Sequence, residues 1–211
     1  MSNYTAIEEV GMTIKNLLWD KMQETRNVLP PNSTEDFIVL ASPADIEDDD
    51  SVLCLFLYQV IENIHMKNQE MQRITSNKSR YPPLTLELYY MLTSHAGTKN
   101  RQNRTELTGQ EHMRLGRAMQ ILNDNPILPI EHSLPTGDEA DIREELRITL
   151  HPMSIDDMTK IWTTFQGKSY RPSASYLVSP VKIDSRRDKD ITRVVRKETD
   201  SDQMVPKREE V

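Results

Sequence analysis

The sequence predicts an α+β fold: a mainly antiparallel sheet packed by about three helices, with long loops and a C-terminal extension. Three observations carry this reading. From Leu84 to Leu92 the chain alternates without a slip, with Leu84, Leu86, Leu88, Tyr90 and Leu92 on one parity and Thr85, Glu87, Tyr89 and Met91 on the other. From Val52 to Tyr58 it runs apolar without a break, VLCLFLY. Three other segments repeat their apolar residues every third or fourth position, each opened by Ser or Thr with an acid three residues on. A period of two belongs to strands and a period near 3.6 to helices, so both element types are encoded in one chain.

Residues 4–24 form the first expected helix. Ile7, Val10, Ile14, Leu17, Leu18 and Met22 fall on one stripe. Thr5 and Glu8 fit a capping box, in which each side chain satisfies an orphan amide of the first turn. Pro30 and Pro31 bar continuation. Phe37–Ala41, FIVLA, reads as a short strand. The acidic stretch of Asp45, Glu47, Asp48, Asp49 and Asp50 lacks the spacing and the distal Glu of an EF-hand, so it reads as a solvated loop rather than a calcium site.

The run VLCLFLY needs cover on both faces, which places its strand, Val52 to Glu62, centrally. A polar segment from His65 to Tyr81 follows, with Lys67, Arg73, Lys78 and Arg80 against Glu70 alone. A hairpin needs only about 2–5 connecting residues, so this one is expected to be a projecting loop or an extended hairpin. Pro82 and Pro83 fix where the next strand, Leu84 to Thr93, can begin, because neither ring donates to a ladder.

Thr108 and Glu111 give a second capping box, opening a helix to about Asn123 with Leu115, Ala118, Met119 and Leu122 on one face. Ile127 to Asp141, with Pro129, Pro135 and Gly137, reads as loop. Glu145 to His151 reads as a strand with Leu146, Ile148 and Leu150 inward. Ser154 and Asp157 open a third helix with Ile155, Met158, Ile161, Trp162 and Phe165 in its stripe, and Gly167 stops it. In the last strand, residues 174–183, Tyr176 and Val178 share one parity but Val181 and Ile183 take the other. A bulge near Ser179–Pro180 would reconcile them, and the proline favours a sheet edge.

Beyond Ser185 both charges mix densely around Ile191, Val194 and Val195, too little apolar surface to order the segment unaided. The expected organisation is a domain over residues 1–184 and a charged tail over 185–211, extended or ordered by a partner. Hydrophobic residues make up 36% of the 211 and charged ones 28%, a thin apolar supply that points to surface arms or to order gained on partners. The net charge of −7 argues against non-specific binding of nucleic acid, which runs on a basic excess. Cys54, the single cysteine, lies in an apolar run, reads as a buried small hydrophobe and suits a reducing compartment. No signal-peptide pattern opens the chain, and no stretch approaches the ~20 apolar residues of a membrane span, so a cytoplasmic location without direct membrane insertion is expected.

The residues offer little chemistry. The five histidines include no pair at helical zinc spacing. The six glycines build no phosphate-cradling loop, and no G-x-S-x-G elbow occurs. Side chains of the adjacent acids Glu144–Glu145 and Asp156–Asp157 point apart. No catalytic, cofactor-binding or metal-binding residue is assigned, and no enzyme is expected. Tyr58, Tyr89, Tyr90, Tyr170 and Tyr176 suit either core or interface. Lys99, Arg101 and Arg104 read as solvated charge or as a patch for an acidic protein surface.

Several segments together resemble a known family. They are LCLFLYQVIEN, PPLTLELYYMLTSHA, ILNDNPILP, LRITLHPMSIDDMTKIW and YRPSASYLVSPVKI. Over roughly residues 4–184 the chain resembles the tail-terminator, or cap, proteins of contractile injection systems, formerly a domain of unknown function. The resemblance implies a homo-hexameric ring that closes the distal end of an inner tube and a contractile sheath. Such a ring stops polymerisation and anchors the last sheath layer, with the contractile sheath protein and the inner tube protein as partners. It implies no cofactor and no catalytic residue, within a particle that can be released. The alternative is a free-standing protein-binding or regulatory domain without catalysis. On the cap reading, Lys99, Arg101 and Arg104 dock on tube or sheath, as do the bases of 65–81, while Ile191, Val194 and Val195 add a strand to a neighbouring sheet edge.

Overall fold

The computed structural model describes residues 4–25, 28–47, 50–97, 103–130 and 144–190. The chain divides into two compact units, residues 1–69 with 83–184 and residues 70–82 with 185–211.

The first unit is built on one sheet. Its strands are β1 (Ile38–Val39), β2 (Ser51–Glu62), β5 (Leu84–Ala96), β6 (Ile127–Ile130), β7 (Glu144–Leu150) and β8 (Ser173–Ile183). They lie in the order β1-β2-β5-β8-β7-β6. Every neighbouring pair is antiparallel except β1 with β2, which is parallel. Three helices pack on it, α1 (Ala6–Gln23), α2 (Arg104–Asp124) and α3 (Ile155–Thr163). The α+β class and the mainly antiparallel sheet are as the periodicities predict.

The alternation of β5 sorts the core. Leu86, Leu88, Tyr90 and Leu92 face the larger core, with Val10, Ile14, Leu18 and Met22 of α1 and Ala118, Ile121 and Leu122 of α2. The opposite parity places Met91 in a smaller core with Met158 and Trp162 of α3 and Phe165 beyond it. Phe56 and Trp162 each meet Phe165 edge-on, with centroids 5.6 and 5.4 Å apart, the geometry that ring quadrupoles favour. Two irregularities interrupt the ladders beside β5, and the one in β8 keeps Val178 and Val181 both in the core. In β2 the register with β5 shifts between Leu57 and Gln59, which brings Val60 opposite Leu88. In β8 it shifts between the partners of Leu86 and Leu88, which are Val181 and Val178. The second is the bulge expected at Ser179–Pro180, where the peptide bond is cis.

Other expectations need correction. Thr5 is itself in helical backbone and donates to the Glu9 carboxylate at 2.5 Å, so the Thr5–Glu8 box does not form. The Thr108–Glu111 box also fails, because α2 begins five residues earlier. Asn103 caps it by accepting from the Glu106 amide at 3.4 Å, which leaves Thr108 inside the helix. Ser154 does cap α3, accepting from the Asp157 amide at 3.1 Å and donating to its carboxylate at 2.7 Å.

β1 is shorter than Phe37–Ala41, because a 3-10 turn over Glu35–Phe37 takes its first residue. β2 is penultimate in the sheet rather than central, and Phe56, Leu57 and Tyr58 are only half-buried. Ile127–Ile130 is a strand instead of loop, since its Leu128 can cover the core beside Leu146. Leu150 is 55% exposed and Ile155 70%, though both fit an apolar stripe. β8 lies inside the sheet and not at an edge. Its ladder with β7 ends at Ser179, so no partner on that side needs the amide hydrogen that Pro180 lacks.

The second unit is a small antiparallel sheet of β3 (Gln72–Thr75), β4 (Lys78–Arg80) and β9 (Asp188–Asp190), in that order. The segment before Tyr81 is thus the extended hairpin, and the start of the charged tail pairs with it. Arg80 donates to Asp188 at 3.1 Å, the Tyr81 amide to the Arg187 carbonyl at 3.1 Å, and the Arg187 guanidinium lies 4.5 Å from the centre of the Tyr81 ring.

Candidate assembly surfaces

An edge strand exposes a row of unpaired backbone groups, and most proteins blunt such edges with proline, lysine or a covering element. β2 is protected on its outer side only at Leu53 and Cys54, where Ile38 and Val39 pair with it. Beyond Cys54 no strand among the described residues pairs with that side. The bare stretch, Leu55 to Glu62, contains neither lysine nor proline. Val60 and Ile61 near its end are 44% and 38% exposed. A cleft of about 460 Å³ runs beside its first residues. Leu55, Phe56 and Leu57 form one wall, Ile7 and Gly11 of α1 another, and Leu40 to Ser42 a third. Glu8 and Asp45, both exposed, place two carboxylates at its border. Gly11 keeps the cleft wall thin, since a Cβ there would stand 3.2 Å from Leu40 Cδ1 and 3.5 Å from the Tyr90 hydroxyl.

Of the six interface residues singled out in the sequence, Arg104 alone lies among the described residues. Arg104 is exposed and opens α2. Its charge sits at the positive end of the helix dipole, where it does nothing for the helix. Lys99, Arg101, Ile191, Val194 and Val195 lie outside the described residues. In the second unit Arg80 is partly committed to Asp188, while Arg73 and Lys78 are exposed.

The five tyrosines are now separated. Tyr90 and Tyr176 are core, and burial pushes both phenols up, Tyr176 to about 12. Tyr58 and Tyr89 are half-buried on the other face of the sheet. Tyr58 shares a hydrogen bond with the Ser175 hydroxyl at 2.8 Å, and Tyr89 donates to Glu87 at 3.0 Å. Partial burial raises both phenols, so they serve as neutral hydrogen-bonding groups. Tyr170 is exposed. Cys54 donates to the Ala41 carbonyl at 3.0 Å, and burial pushes its thiol up to about 12, which suppresses the reactive thiolate.

Two polar anchors were not legible in the sequence. Buried Arg114 donates to the Val28 carbonyl at 3.2 Å, to the His95 carbonyl at 3.5 Å and to Gln110 at 3.4 Å, and lies over the Phe37 ring. Glu111 accepts from the Ala96 amide at 3.0 Å and from Arg171. Both tie α2 to the end of β5. Among the described residues no group of three or more His, Cys, Asp or Glu side chains could hold a metal ion, and no helix is long and apolar enough to cross a membrane.

Fold and surface together define an α+β domain with helices on both faces of one mixed sheet and a bare sheet edge. The chain belongs to the Pvc16 N-terminal domain family, whose profile matches residues 9–197. That membership bears out the resemblance to tail terminators of contractile injection systems. Two cryo-EM structures share the fold. One is the sheath/tube terminator, in its extended state, of the extracellular contractile injection system PVC, with a TM-score of 0.64 and 16% identity over 97% of this chain. The other is the tube-terminating cap of the anti-feeding prophage, with a TM-score of 0.58 and 18% identity over 90% of this chain. The chain spans 66% of the length of the first and 59% of the second. Among curated proteins none matches the sequence.

Proposed function

We propose that this chain is a structural cap, or tail terminator, of a contractile phage tail-like injection system. It ends polymerisation of tube and sheath and anchors the last sheath layer. It does so as a homo-hexameric ring, without catalysis, on a particle assembled in the cytoplasm and able to be released. The observation that carries this is the fold it shares, along 97% and 90% of its length, with two proteins that terminate such tubes. Elementary assembly physics supports the reading. A growing tube adds subunits through a heterologous interface without end, and only a subunit that copies one face and withholds the other can stop it. On this reading Lys99, Arg101 and Arg104 dock on acidic tube or sheath surfaces, and Ile191, Val194 and Val195 contribute to a neighbouring sheet.

Two measurements test the proposal. Deleting the gene should give tubes and sheaths of wrong length, or none, by electron microscopy. Light scattering on the purified protein, alone and with tube fragments, should show a ring. Particles of normal length and number in the deletion strain, or a strict monomer under both conditions, would overturn it.

A further inference from the structure

We propose that the outer edge of β2 from Leu55 to Glu62, with the cleft beside it, seats residues 191–197 of a second copy of this chain as an added strand. The proposal rests on the ring reading above and names the acceptor and donor within it.

The acceptor demands a short extended segment. Its bare backbone groups supply main-chain hydrogen bonds, which give strand addition its affinity, and the adjoining cavity supplies side-chain selection. That cavity is apolar at Ile7, Leu40, Leu55 and Leu57 and acidic at Glu8 and Asp45. A fitting occupant is therefore β-prone, aliphatic and flanked by positive charge. The segment directly after β9 reads Ile-Thr-Arg-Val-Val-Arg-Lys from Ile191 to Lys197. Ile191, Thr192, Val194 and Val195 are β-branched, which suits a pleated half-buried surface. Arg193, Arg196 and Lys197 provide the positive charge in a chain whose net charge is −7.

The lengths also agree. At about 3.3 Å per residue the donor spans roughly 23 Å and the bare edge roughly 26 Å. Donor and acceptor are different surfaces of the same chain. A contact between them across copies is heterologous, the kind that propagates head to tail and closes into a ring when the rotation allows. It also disposes of an aliphatic edge that would otherwise invite aggregation.

Disulfide trapping in the full-length chain tests this, with buried Cys54 left in place. Gln59→Cys and Val194→Cys chains, mixed under mild oxidation, should form a linked heterodimer at least about tenfold above the control pair of Gln59→Cys with Gln166→Cys. Placing Glu8→Lys in the Gln59→Cys chain should cut that yield severalfold, and Lys197→Glu in the Val194→Cys chain, at the donor end that antiparallel seating brings to the cleft, should restore it. A heterodimer yield no higher than the control overturns the proposal. So does preferential closure of the double variant Gln59→Cys/Val194→Cys within a single dilute chain. Light scattering on the unmodified protein separates the two levels. A ring without the cross-link removes this strand assignment and leaves the cap reading standing; a monomer without the cross-link removes both.

Discussion

Leu84 and Leu88 share a strand, a parity and a side chain, and truncation to alanine should separate them. Leu88 is fully buried in the middle of β5, between Val60 on one neighbour and Val178 on the other. Leu84, the first residue of the strand, is 45% exposed. Removing a buried leucine costs the transfer of its lost methyl groups plus the cavity left behind, about 2–5 kcal/mol. Val60 and Val178 belong to paired strands and cannot collapse inward, so about 3 kcal/mol is expected for Leu88→Ala. With a urea m-value of about 2 kcal/mol per molar, the unfolding midpoint falls by about 1.5 M. Leu84→Ala leaves a dent that water fills, so its cost stays below about 1 kcal/mol and its midpoint shift below about 0.5 M. Circular dichroism in a urea series on the two variants reads both numbers. Equal midpoint shifts, or the larger one at Leu84, would mean that the register of β5 with its neighbours is not the one described and would refute the reasoning.

Three further outcomes are expected. Arg114→Met should lower stability by about 2–4 kcal/mol in thermal melts, because the Val28 and His95 carbonyls lose a buried donor, and Arg114→Lys should not rescue it, since an ammonium cannot reproduce the planar fork. Ser154→Ala should cost about 0.5–2 kcal/mol at neutral pH as the α3 cap is lost. Hydrogen bonds from Ser154 and Lys160 hold the Asp157 carboxyl below its ordinary value, so its stabilising effect is full at neutral pH and is lost as pH falls through that lowered value; the Ser154→Ala deficit should therefore shrink in acid denaturation curves. Cys54, with its thiol pushed up to about 12, should resist an aromatic disulfide reagent near neutral pH and react at once in denaturant, read by absorbance.

The parity of β5, the conflict of parities in β8 and the Ser154 cap were all readable from residues close in sequence, because each depends on where a side chain points relative to its immediate neighbours. The start of α2 differs from the expected one for an instructive reason. Asn103 with Glu106 offers the same cap chemistry as Thr108 with Glu111, and only packing against the end of β5, through Glu111 and Arg114, selects the earlier one. The interface candidates fared differently. Their charge and β-propensity are visible in the sequence, whereas the bare edge of β2 is not, because an edge is defined by the strand that fails to arrive.

By itself, then, the amino-acid order determined the class of fold, the faces of its elements and the absence of familiar catalytic motifs, since periodicity and local caps act over a few residues. Only the tertiary structure decided which leucines are wet, which strand lies beside which, and that residues 78–80 pair with 188–190. Those outcomes depend on which surfaces remain after every other element has been placed, and no short window of sequence contains that information.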